Sequence, residues 1–230
     1  MFGLSRGSFA EFAAAREDKL ATKPPSLTFE QAAVVPVSGL TALQAIRAAG
    51  HLQAGQQVLV IGASGGVGSY AVQIAKALGA SVIATTSDAA KTDRAKALGA
   101  DHVLTAPPAD LPREVRRLTG GAMADVVFEH VGPALFMDAL KCLRPSGRLV
   151  TCGSTSGPKV EVDMRYVFSR QLRILGARMG SLAEMREAWK LVAAGKVRGI
   201  VDKTYPFEAA ATAHARLESR GQFGKVVVAL

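Results

Sequence analysis

Short apolar segments alternate with longer stretches of helical spacing through the middle of the chain. Six apolar segments follow one another at residues 58–61, 82–83, 103–104, 126–128, 149–150 and 174–175. This alternation is typical of βαβ units, in which helices cover both faces of a parallel sheet. The pattern therefore predicts an α/β fold with a doubly wound, six-stranded parallel sheet.

A helix with one apolar face is predicted between the first two strands. Its apolar positions recur every three or four residues, at Ala71, Ile74, Ala75 and Leu78. This spacing places one stripe on the sheet, leaves Gln73 and Lys76 facing outwards, and lets Gly79 end the helix. A later helix begins after the predicted N-cap Ser181, and its Trp189 is interpreted as a core residue rather than as a platform for a cofactor.

Composition and charge narrow the class of protein. The chain has 230 residues, is 49% hydrophobic and carries 28 Lys+Arg against 19 Asp+Glu, a net charge of +9. It is too apolar to be disordered, and no stretch reaches the ~18 apolar residues of a membrane span. With no basic leader and apolar segment at the N-terminus, we expect a cytoplasmic protein without a membrane partner. The basic residues are scattered, and the densest group (Arg113, Arg116, Arg117) reads as a solvated helix face, so no nucleic-acid partner is predicted.

A glycine-rich turn links the first strand to the first helix. Residues 58–68 read Val-Leu-Val-Ile-Gly-Ala-Ser-Gly-Gly-Val-Gly. On the G-x-G-x-x-G template, Ala63 replaces the first glycine, while Gly65 and Gly68 occupy the other two positions. Gly65 lets the backbone approach a pyrophosphate, Gly68 lets the helix pack on the strand, and the helix N-terminus offers free N–H groups to the phosphates. In this strand–turn–helix–strand context the motif predicts dinucleotide binding rather than a purely structural turn.

The tip of the second strand bears on the choice between NAD and NADP(H). It reads Thr85-Thr86-Ser87, without the carboxylate that hydrogen-bonds the adenosine ribose of NAD. Asp88 follows the strand, where Ser87 and Asp88 are predicted to form the cap and first turn of the next helix. Lys91 either places its ammonium on a 2′-phosphate or is an exposed lysine on the helix surface. These residues favour NADP(H) over NAD.

Two further loops follow strands at the carboxyl end of the sheet, where ligands bind in open parallel sheets. They are residues 129–132 (Glu-His-Val-Gly) and 152–155 (Cys-Gly-Ser-Thr). Gly132 and Gly153 would let these loops run close to the ribose and nicotinamide. His130 is a candidate proton donor or, equally, a support for the loop, because no second titrating partner is evident. No catalytic side chain is assigned.

Several segments, taken in order, resemble a known family. With the glycine-rich turn, residues 7–12, 32–42, 97–102, 129–132 and 224–228 resemble the medium-chain dehydrogenase/reductase superfamily, in particular its zinc-binding dehydrogenase and NADPH:quinone reductase-like branch. The resemblance implies a Rossmann domain inserted into a GroES-like catalytic domain. Residues 1–30 are then a remnant of the N-terminal catalytic domain, 31–200 the dinucleotide-binding domain, and 201–230 a segment that returns to the catalytic domain.

Most of that catalytic domain is expected to be absent from this chain. The family often has Val-Phe-Gly where Met1-Phe2-Gly3 stands, so we expect that an internal valine codon was used, or annotated, as a start. Zinc is not expected, because the segment Pro36-Val37-Ser38 lacks the cysteine that alcohol dehydrogenase relatives can carry there. The remaining histidines and the two cysteines lack metal-ligand spacing, so no metal site is predicted.

The resemblance also implies which residues contact the cofactor. Thr41, opening the helix that leads into the sheet domain, would lie near the nicotinamide. The other implied contacts are Ser64, Gly65, Gly66, Val67 and Gly68 on the pyrophosphate, Ser87 and Lys91 near the 2′-phosphate, and Gly132, Gly153 and Ser154 towards the nicotinamide.

The implied activity is NADPH-dependent hydride transfer to a quinone, enone or carbonyl compound. The alternative is a dinucleotide-binding fragment without useful turnover. A truncated barrel should expose apolar surface and unpaired strand edges, so we expect either dimerisation or marginal solubility. The resemblance implies a homodimer through the sheet edge near Arg173 to Ala177.

Overall fold

A six-stranded sheet whose strands all run parallel forms the centre of the computed structural model, which describes residues 9–230. Its strands are β1 (Gln57–Val60), β2 (Ser81–Thr85), β3 (His102–Leu104), β4 (Ala124–Glu129), β5 (Leu143–Thr151) and β6 (Arg173–Gly176). Their order across the sheet is β3-β2-β1-β4-β5-β6, so the chain winds outwards in both directions from β1. The predicted α/β, doubly wound sheet is confirmed. Met1-Phe2-Gly3 and positions 7 and 8 lie outside the described residues.

Helices cover both faces of this sheet. The α-helices of the described residues are α1 (Phe29–Ala33), α2 (Pro36–Leu43), α3 (Gly66–Ala77), α4 (Thr92–Ala97), α5 (Leu111–Leu118), α6 (Phe136–Lys141), α7 (Met164–Ser169), α8 (Leu182–Ala193) and α9 (Ala210–Glu218). Of these, α1 and α9 pack against the last two strands of the chain. Val58 and Val60 join the core with α2, α3 and α8, while Leu59 and Ile61 join a second core with α5 and α6. Successive side chains from Val58 to Ile61 therefore point alternately into two separate cores, one on each face of the sheet. Among the described residues, no helix is long and apolar enough to cross a membrane.

The predicted helix ends and the core position of Trp189 are confirmed. Gly79 follows α3 with a φ of +81°, and Ser181 forms a capping box at the start of α8. Trp189 is buried in the core shared with α2 and α3. The arginines predicted to form a solvated face are exposed along α5.

Gln73 differs from its prediction as an outward-facing residue of α3. It is 6% exposed. Its side-chain amide donates to the Ser69 and Arg198 carbonyls at 3.0 and 3.1 Å, and its oxygen accepts the Arg198 N–H at 2.9 Å. The prediction for Gln73 is wrong because the segment after α8 packs over this face of α3. Lys76 is exposed, as predicted, and pairs with Asp101.

A second, two-stranded parallel sheet lies at the end of the chain. It consists of β7 (Val201–Pro206) and β8 (Lys225–Ala229), which α9 connects. Beside β8, a cavity of about 540 Å³ is lined by residues that include Phe9, Phe29 and Phe207. The division of the chain at residues 30 and 200 stays a prediction.

Candidate functional site

The glycine-rich turn after β1 is fastened to the neighbouring strand β2. Gly62 donates its N–H to the Thr85 hydroxyl at 3.0 Å, and Ala63 donates to the Thr85 carbonyl at 2.9 Å. Gly62 has a φ of +72°, and a Cβ there would lie 3.0 Å from Nε2 of His130. The positive φ favours glycine at this position, and the nearby ring leaves little room for a Cβ. This explains why the first glycine of the motif stands one residue before its template position and Ala63 is tolerated.

Gly68 is the closest contact between helix and turn. A Cβ on this residue would lie 2.1 Å from the carbonyl oxygen of Gly62 and 2.7 Å from its carbonyl carbon. Both are backbone atoms, so no side chain can move aside. The absence of a side chain at Gly68 therefore lets α3 start directly against the end of β1, in the way the motif predicts.

The N-terminus of α3 presents free backbone amides. Its first intrahelical bond runs from the Ser69 N–H to the Gly65 carbonyl at 3.0 Å. The amides of Gly66, Val67 and Gly68 precede this bond and have no carbonyl within the helix to receive them. Among residues 9–230 no side chain caps Gly65, and a Cβ on Gly65 would meet only the Gly62 oxygen, at 3.3 Å. The turn thus encloses open space in front of a positive helix end, a cradle suited to an anion.

Lys225, which the sequence motifs do not assign to the site, covers the same helix end. A Cβ on Gly66 would lie 2.5 Å from Cδ of Lys225 and 3.0 Å from the hydroxyl of Ser38. The Lys225 side chain therefore crosses the start of α3, and its ammonium is two bonds beyond Cδ. The Ser38 hydroxyl is buried and has no hydrogen-bond partner among the described residues. Position 66 consequently brings together a cation, an unpaired hydroxyl and free amides.

The turn between α9 and β8, residues 219–224, packs against the same site. Gly224 donates its N–H to the Ser64 carbonyl at 2.8 Å. The ammonium of Lys91 donates to the Arg220 carbonyl at 2.8 Å. The alternative interpretation of Lys91 as an exposed surface lysine is wrong, because the side chain is only 7% exposed beneath this C-terminal turn.

Asp202 of β7 anchors the C-terminal turn. Its carboxylate accepts hydrogen bonds from the Arg216 guanidinium and the Phe223 N–H, both at 3.0 Å, and Arg94 lies 4.0 Å away. Desolvation by burial works to raise the pKa of Asp202. The hydrogen bonds from Arg216 and Phe223 and the charges of Arg216 and Arg94 outweigh it and hold the pKa below its usual value.

The hydroxyls at the tip of β2 divide into structural and free groups. The Thr85 hydroxyl binds Gly62, and the buried Thr86 hydroxyl donates to the Asp88 carbonyl at 3.0 Å. Ser87 is exposed. The prediction that Ser87 and Asp88 form the cap and first turn needs correction. Asp88 is the N-cap of the following 3₁₀ turn, because its carboxylate accepts the Ala90 N–H at 2.9 Å. Lys91 is the last residue of this turn.

The loops after β4 and β5 are in contact. A Cβ on Gly132, whose φ is +89°, would lie 2.3 Å from the Ser154 hydroxyl, and a Cβ on Gly153 would lie 3.3 Å from the His130 carbonyl. The Ser154 hydroxyl donates to the Gly157 carbonyl. The structure thus brings Gly132, Gly153 and Ser154 to one place at the carboxyl end of the sheet.

His130 lies inside this arrangement. Its ring centroid is 5.5 Å from that of Phe128, and its Nε2 points at Gly62 without a hydrogen-bond partner among the described residues. Burial lowers the pKa of His130, so the imidazole is neutral near pH 7. A half-buried, neutral ring whose enclosed Nε2 lies against the turn supports the interpretation of His130 as a structural residue of the loop.

Thr41 occupies a different part of its helix from the one predicted. α2 begins at Pro36, so Thr41 lies in its second half rather than at its opening. The hydroxyl donates to the Val37 carbonyl at 2.6 Å, one turn back. The prediction for the helix start is wrong, because Pro36 with its fixed φ takes the first position. The proximity of Thr41 to a nicotinamide stays a prediction.

Metal-ligating side chains do not cluster in the described part of the chain. No group of three or more His, Cys, Asp or Glu residues there is arranged to hold a metal ion. Residues 9–230 do bring the glycine-rich turn, the tip of β2 and the loops after β4 and β5 to the same edge of the sheet, at the carboxyl ends of its strands.

Similarity to known proteins identifies the family. The zinc-binding dehydrogenase family matches residues 66–194, more than half of the chain. Crotonyl-CoA reductase of Streptomyces collinus is 34% identical over 99% of this chain and 55% of its own length. Quinone oxidoreductase of Pseudomonas aeruginosa is 32% identical over 96% of this chain and 71% of its own length. The chain therefore spans about half the length of the first of these relatives.

Solved structures agree with this assignment. An NAD-dependent alcohol dehydrogenase superposes with a TM-score of 0.92 at 43% identity, over 97% of this chain and 65% of the other. A mycobacterial protein complexed with NADPH superposes with a TM-score of 0.89 at 32% identity, over 98% of this chain and 72% of the other. The chain belongs to the zinc-binding dehydrogenase family of the medium-chain dehydrogenase/reductase superfamily, on its quinone oxidoreductase-like branch.

Proposed function

We propose that the chain binds NADP(H) and serves hydride transfer between its nicotinamide and a quinone, enone, carbonyl or alcohol substrate. The observation that carries this proposal is the cradle at the start of α3, where three backbone amides have no acceptor within the helix and the position of Gly65 borders open space. Crotonyl-CoA reductase and quinone oxidoreductase among the relatives, and the NADPH complex among the structures, support it. The neighbour described as NAD-dependent makes coenzyme preference the first property to measure.

The pyrophosphate would bind at the glycine-rich turn. The amides of Gly66, Val67 and Gly68 would donate to its oxygens. Ser64 and Gly65 precede these amides and form the turn that leads into the helix. The ammonium of Lys225 would add a positive charge beside them. The residues present therefore fit a diphosphate on the basis of amides, dipole and charge together.

The 2′-phosphate of NADP(H) would lie beside Ser87 and Lys91. An ammonium has three N–H donors, and the one described acceptor for Lys91 is the Arg220 carbonyl. Burying this cation against a neutral carbonyl leaves its charge poorly compensated, and a phosphate would supply the counter-charge. Arg220, which is exposed, is a further cation next to this position. The tip of β2 has no carboxylate that would repel the phosphate.

The nicotinamide would lie against Gly132, Gly153 and Ser154, with Thr41 nearby. A bound nicotinamide supplies or accepts the hydride. The chain's own contribution is to orient the ring through these two loops and to keep water away from one side of it. The neutral His130 supports the turn, and no residue of this chain is assigned as the proton donor.

A second candidate function is dinucleotide binding without turnover. The observation that favours it is that the described residues supply the amides and cations of the phosphate site, while none of them is assigned as a proton donor. Under this alternative, the glycine-rich turn and the C-terminal residues still form the phosphate site. Binding a hydride acceptor would need residues other than those of the cradle.

Calorimetric titration with NADPH, NADH and adenosine 2′,5′-bisphosphate, followed by NADPH oxidation assays with a panel of quinones and enones, tests both candidates. Tight NADPH binding with oxidation supports the oxidoreductase, and the same binding without oxidation supports the second candidate. A folded chain that binds none of the three ligands refutes both.

We also infer that the chain forms a homodimer through the free edge of β6. Ile174 on this strand is 42% exposed, and Phe168 and Met164 on the adjacent α7 are 68% and 63% exposed. An open strand edge flanked by exposed apolar side chains favours association with a second copy.

A further inference from the structure

A fully buried carboxylate lies beneath the contacting loops at the ends of β4 and β5. It belongs to Glu129, the last residue of β4, which is 0% exposed. Its Oε1 accepts the N–H groups of Val131 and Gly132 at 2.5 and 2.7 Å. Its Oε2 has no hydrogen-bond partner among the described residues. The sequence motifs draw attention to His130 and Gly132 but assign no role to this residue.

An acidic side chain in this position is costly to bury. The rest of β4 is apolar at its buried positions, and burial raises the pKa of Glu129. An apolar side chain of similar size would avoid that cost but would leave the buried N–H of Gly132 and the half-buried N–H of Val131 without acceptors. The carboxylate therefore compensates for the way the chain leaves β4, where Gly132 adopts its left-handed conformation.

The loop that Glu129 holds from within the sheet is held from outside by Ser156. The Ser156 hydroxyl donates to the Val131 carbonyl at 2.7 Å and accepts the Ala134 N–H at 3.1 Å. The Thr155 N–H also donates to the His130 carbonyl at 3.3 Å. The position of the loop after β4 relative to the loop after β5 thus depends on bonds from both sides.

We propose that Glu129 is a positioning residue: its carboxylate fixes the amides of Val131 and Gly132 and so sets the pair of loops against which the nicotinamide half of the coenzyme binds. Glu129 itself is enclosed and acts through Gly132, Gly153 and Ser154. This inference rests on the proposed binding of NADP(H).

The test compares two ligands that share the adenine half. NADPH contacts both halves of the site, whereas adenosine 2′,5′-bisphosphate lacks the nicotinamide half and occupies only the adenine half, from Lys91 to the glycine-rich turn. Titrations use the whole chain carrying Glu129→Leu, Glu129→Gln or Ser156→Ala, with Glu161→Gln as a control at an exposed glutamate. Fluorescence of bound NADPH reports the surroundings of the nicotinamide ring.

Glu129→Leu is expected to raise the Kd for NADPH about tenfold or more and to leave the Kd for adenosine 2′,5′-bisphosphate within about twofold. Glu129→Gln retains an oxygen that accepts both N–H groups, so its Kd for NADPH is expected to stay within about threefold of the original. Ser156→Ala is expected to weaken NADPH selectively, by about threefold or more, and to change the fluorescence of the bound coenzyme. Glu161→Gln is expected to change neither affinity.

Three results would overturn the inference. Glu129→Leu weakening both ligands equally would show that the carboxylate only supports the fold. Unchanged NADPH affinity in Glu129→Leu would show that the loops do not depend on it. If Glu129→Leu does not fold, Ser156→Ala replaces it in the test. Unchanged NADPH affinity in Ser156→Ala then refutes the proposal that the position of these loops determines coenzyme binding. An unaltered chain that binds neither ligand instead refutes the proposed function, on which the inference rests.

Discussion

The glycines at positions 65 and 68 allow the cradle to be tested separately from the fold. Each is changed to alanine, which adds one methyl group. At Gly68 the new Cβ would lie 2.1 Å from a backbone carbonyl oxygen, whereas at Gly65 it would meet one atom at 3.3 Å and otherwise project into the open space of the turn. The added methyl group therefore contacts the protein backbone in Gly68→Ala and the expected ligand in Gly65→Ala.

For Gly68→Ala we expect a loss of stability. Relieving the contact requires the backbone to move, which costs up to about 3 kcal/mol, and the better helix propensity of alanine returns roughly 1 kcal/mol. The net loss of about 2 kcal/mol corresponds to a fall in Tm of about 4–8 °C for a domain of this size. Thermal unfolding followed by circular dichroism measures it.

For Gly65→Ala we expect a loss of affinity instead. The backbone at Gly65, with φ −79° and ψ 169°, suits alanine, so the free energy of unfolding should fall by less than about 1 kcal/mol. A methyl group in the cradle would separate the phosphate from one amide, and one charge-assisted hydrogen bond is worth about 1.5–3 kcal/mol. The Kd for NADPH should therefore rise about tenfold to a hundredfold. Normal NADPH affinity in Gly65→Ala, or an unchanged Tm in Gly68→Ala, would refute this account of the turn.

Three other predictions follow from the surrounding contacts. Lys91→Met should raise the Kd for NADPH about tenfold without changing the Kd for NADH, as measured by calorimetry. Lys96→Met, at an exposed lysine, serves as the control. Equal effects of Lys91→Met on both coenzymes would contradict the assignment of Lys91 to the 2′-phosphate. Because the pKa of Asp202 is lower in the folded than in the unfolded chain, its stabilising contribution is complete above the unfolded value of about 3.9 and is lost as the pH falls through the folded value. Urea unfolding at a series of pH values should show this loss of stability in the unaltered chain. Asp202→Asn should lower the free energy of unfolding by about 1–3 kcal/mol at pH 7 and should lack this part of the acid dependence. If the unaltered chain and Asp202→Asn show parallel pH profiles, Asp202 does not stabilise the fold in this way. Ile174→Lys should convert the proposed dimer to a monomer in sedimentation equilibrium, and a persistent dimer would place the interface elsewhere.

The elements predicted from sequence are those with a strong local signal. All six strands were predicted because each is a short apolar segment between polar turns, and β1 shows buried residues on both faces. The start of α2 was not predicted correctly, because nearly every residue from Pro36 to Leu43 is buried. A helix without a polar face leaves no helical period in the sequence, although Pro36 itself marked the first turn.

The parts of the site that escaped prediction depend on distant segments. Gln73 is enclosed by residue 198, and Lys91 is covered by residue 220. Lys225 reaches the turn only because β8 brings the end of the chain back to α3. No local pattern encodes these contacts, because they join residues more than a hundred positions apart. The glycine-rich turn was predictable, since its close backbone approaches and free amides arise within a few residues.

The most direct measurement follows the backbone amides of the cradle themselves. In ¹H–¹⁵N correlation spectra of the labelled chain, titration with NADPH should shift the amide resonances of Gly66, Val67 and Gly68 in a saturable way. Adenosine 2′,5′-bisphosphate should shift the residues around Lys91, and NADH should shift the cradle amides only at higher concentration. A folded chain whose cradle amides keep their positions at saturating NADPH would contradict the assignment of this turn as the nucleotide site.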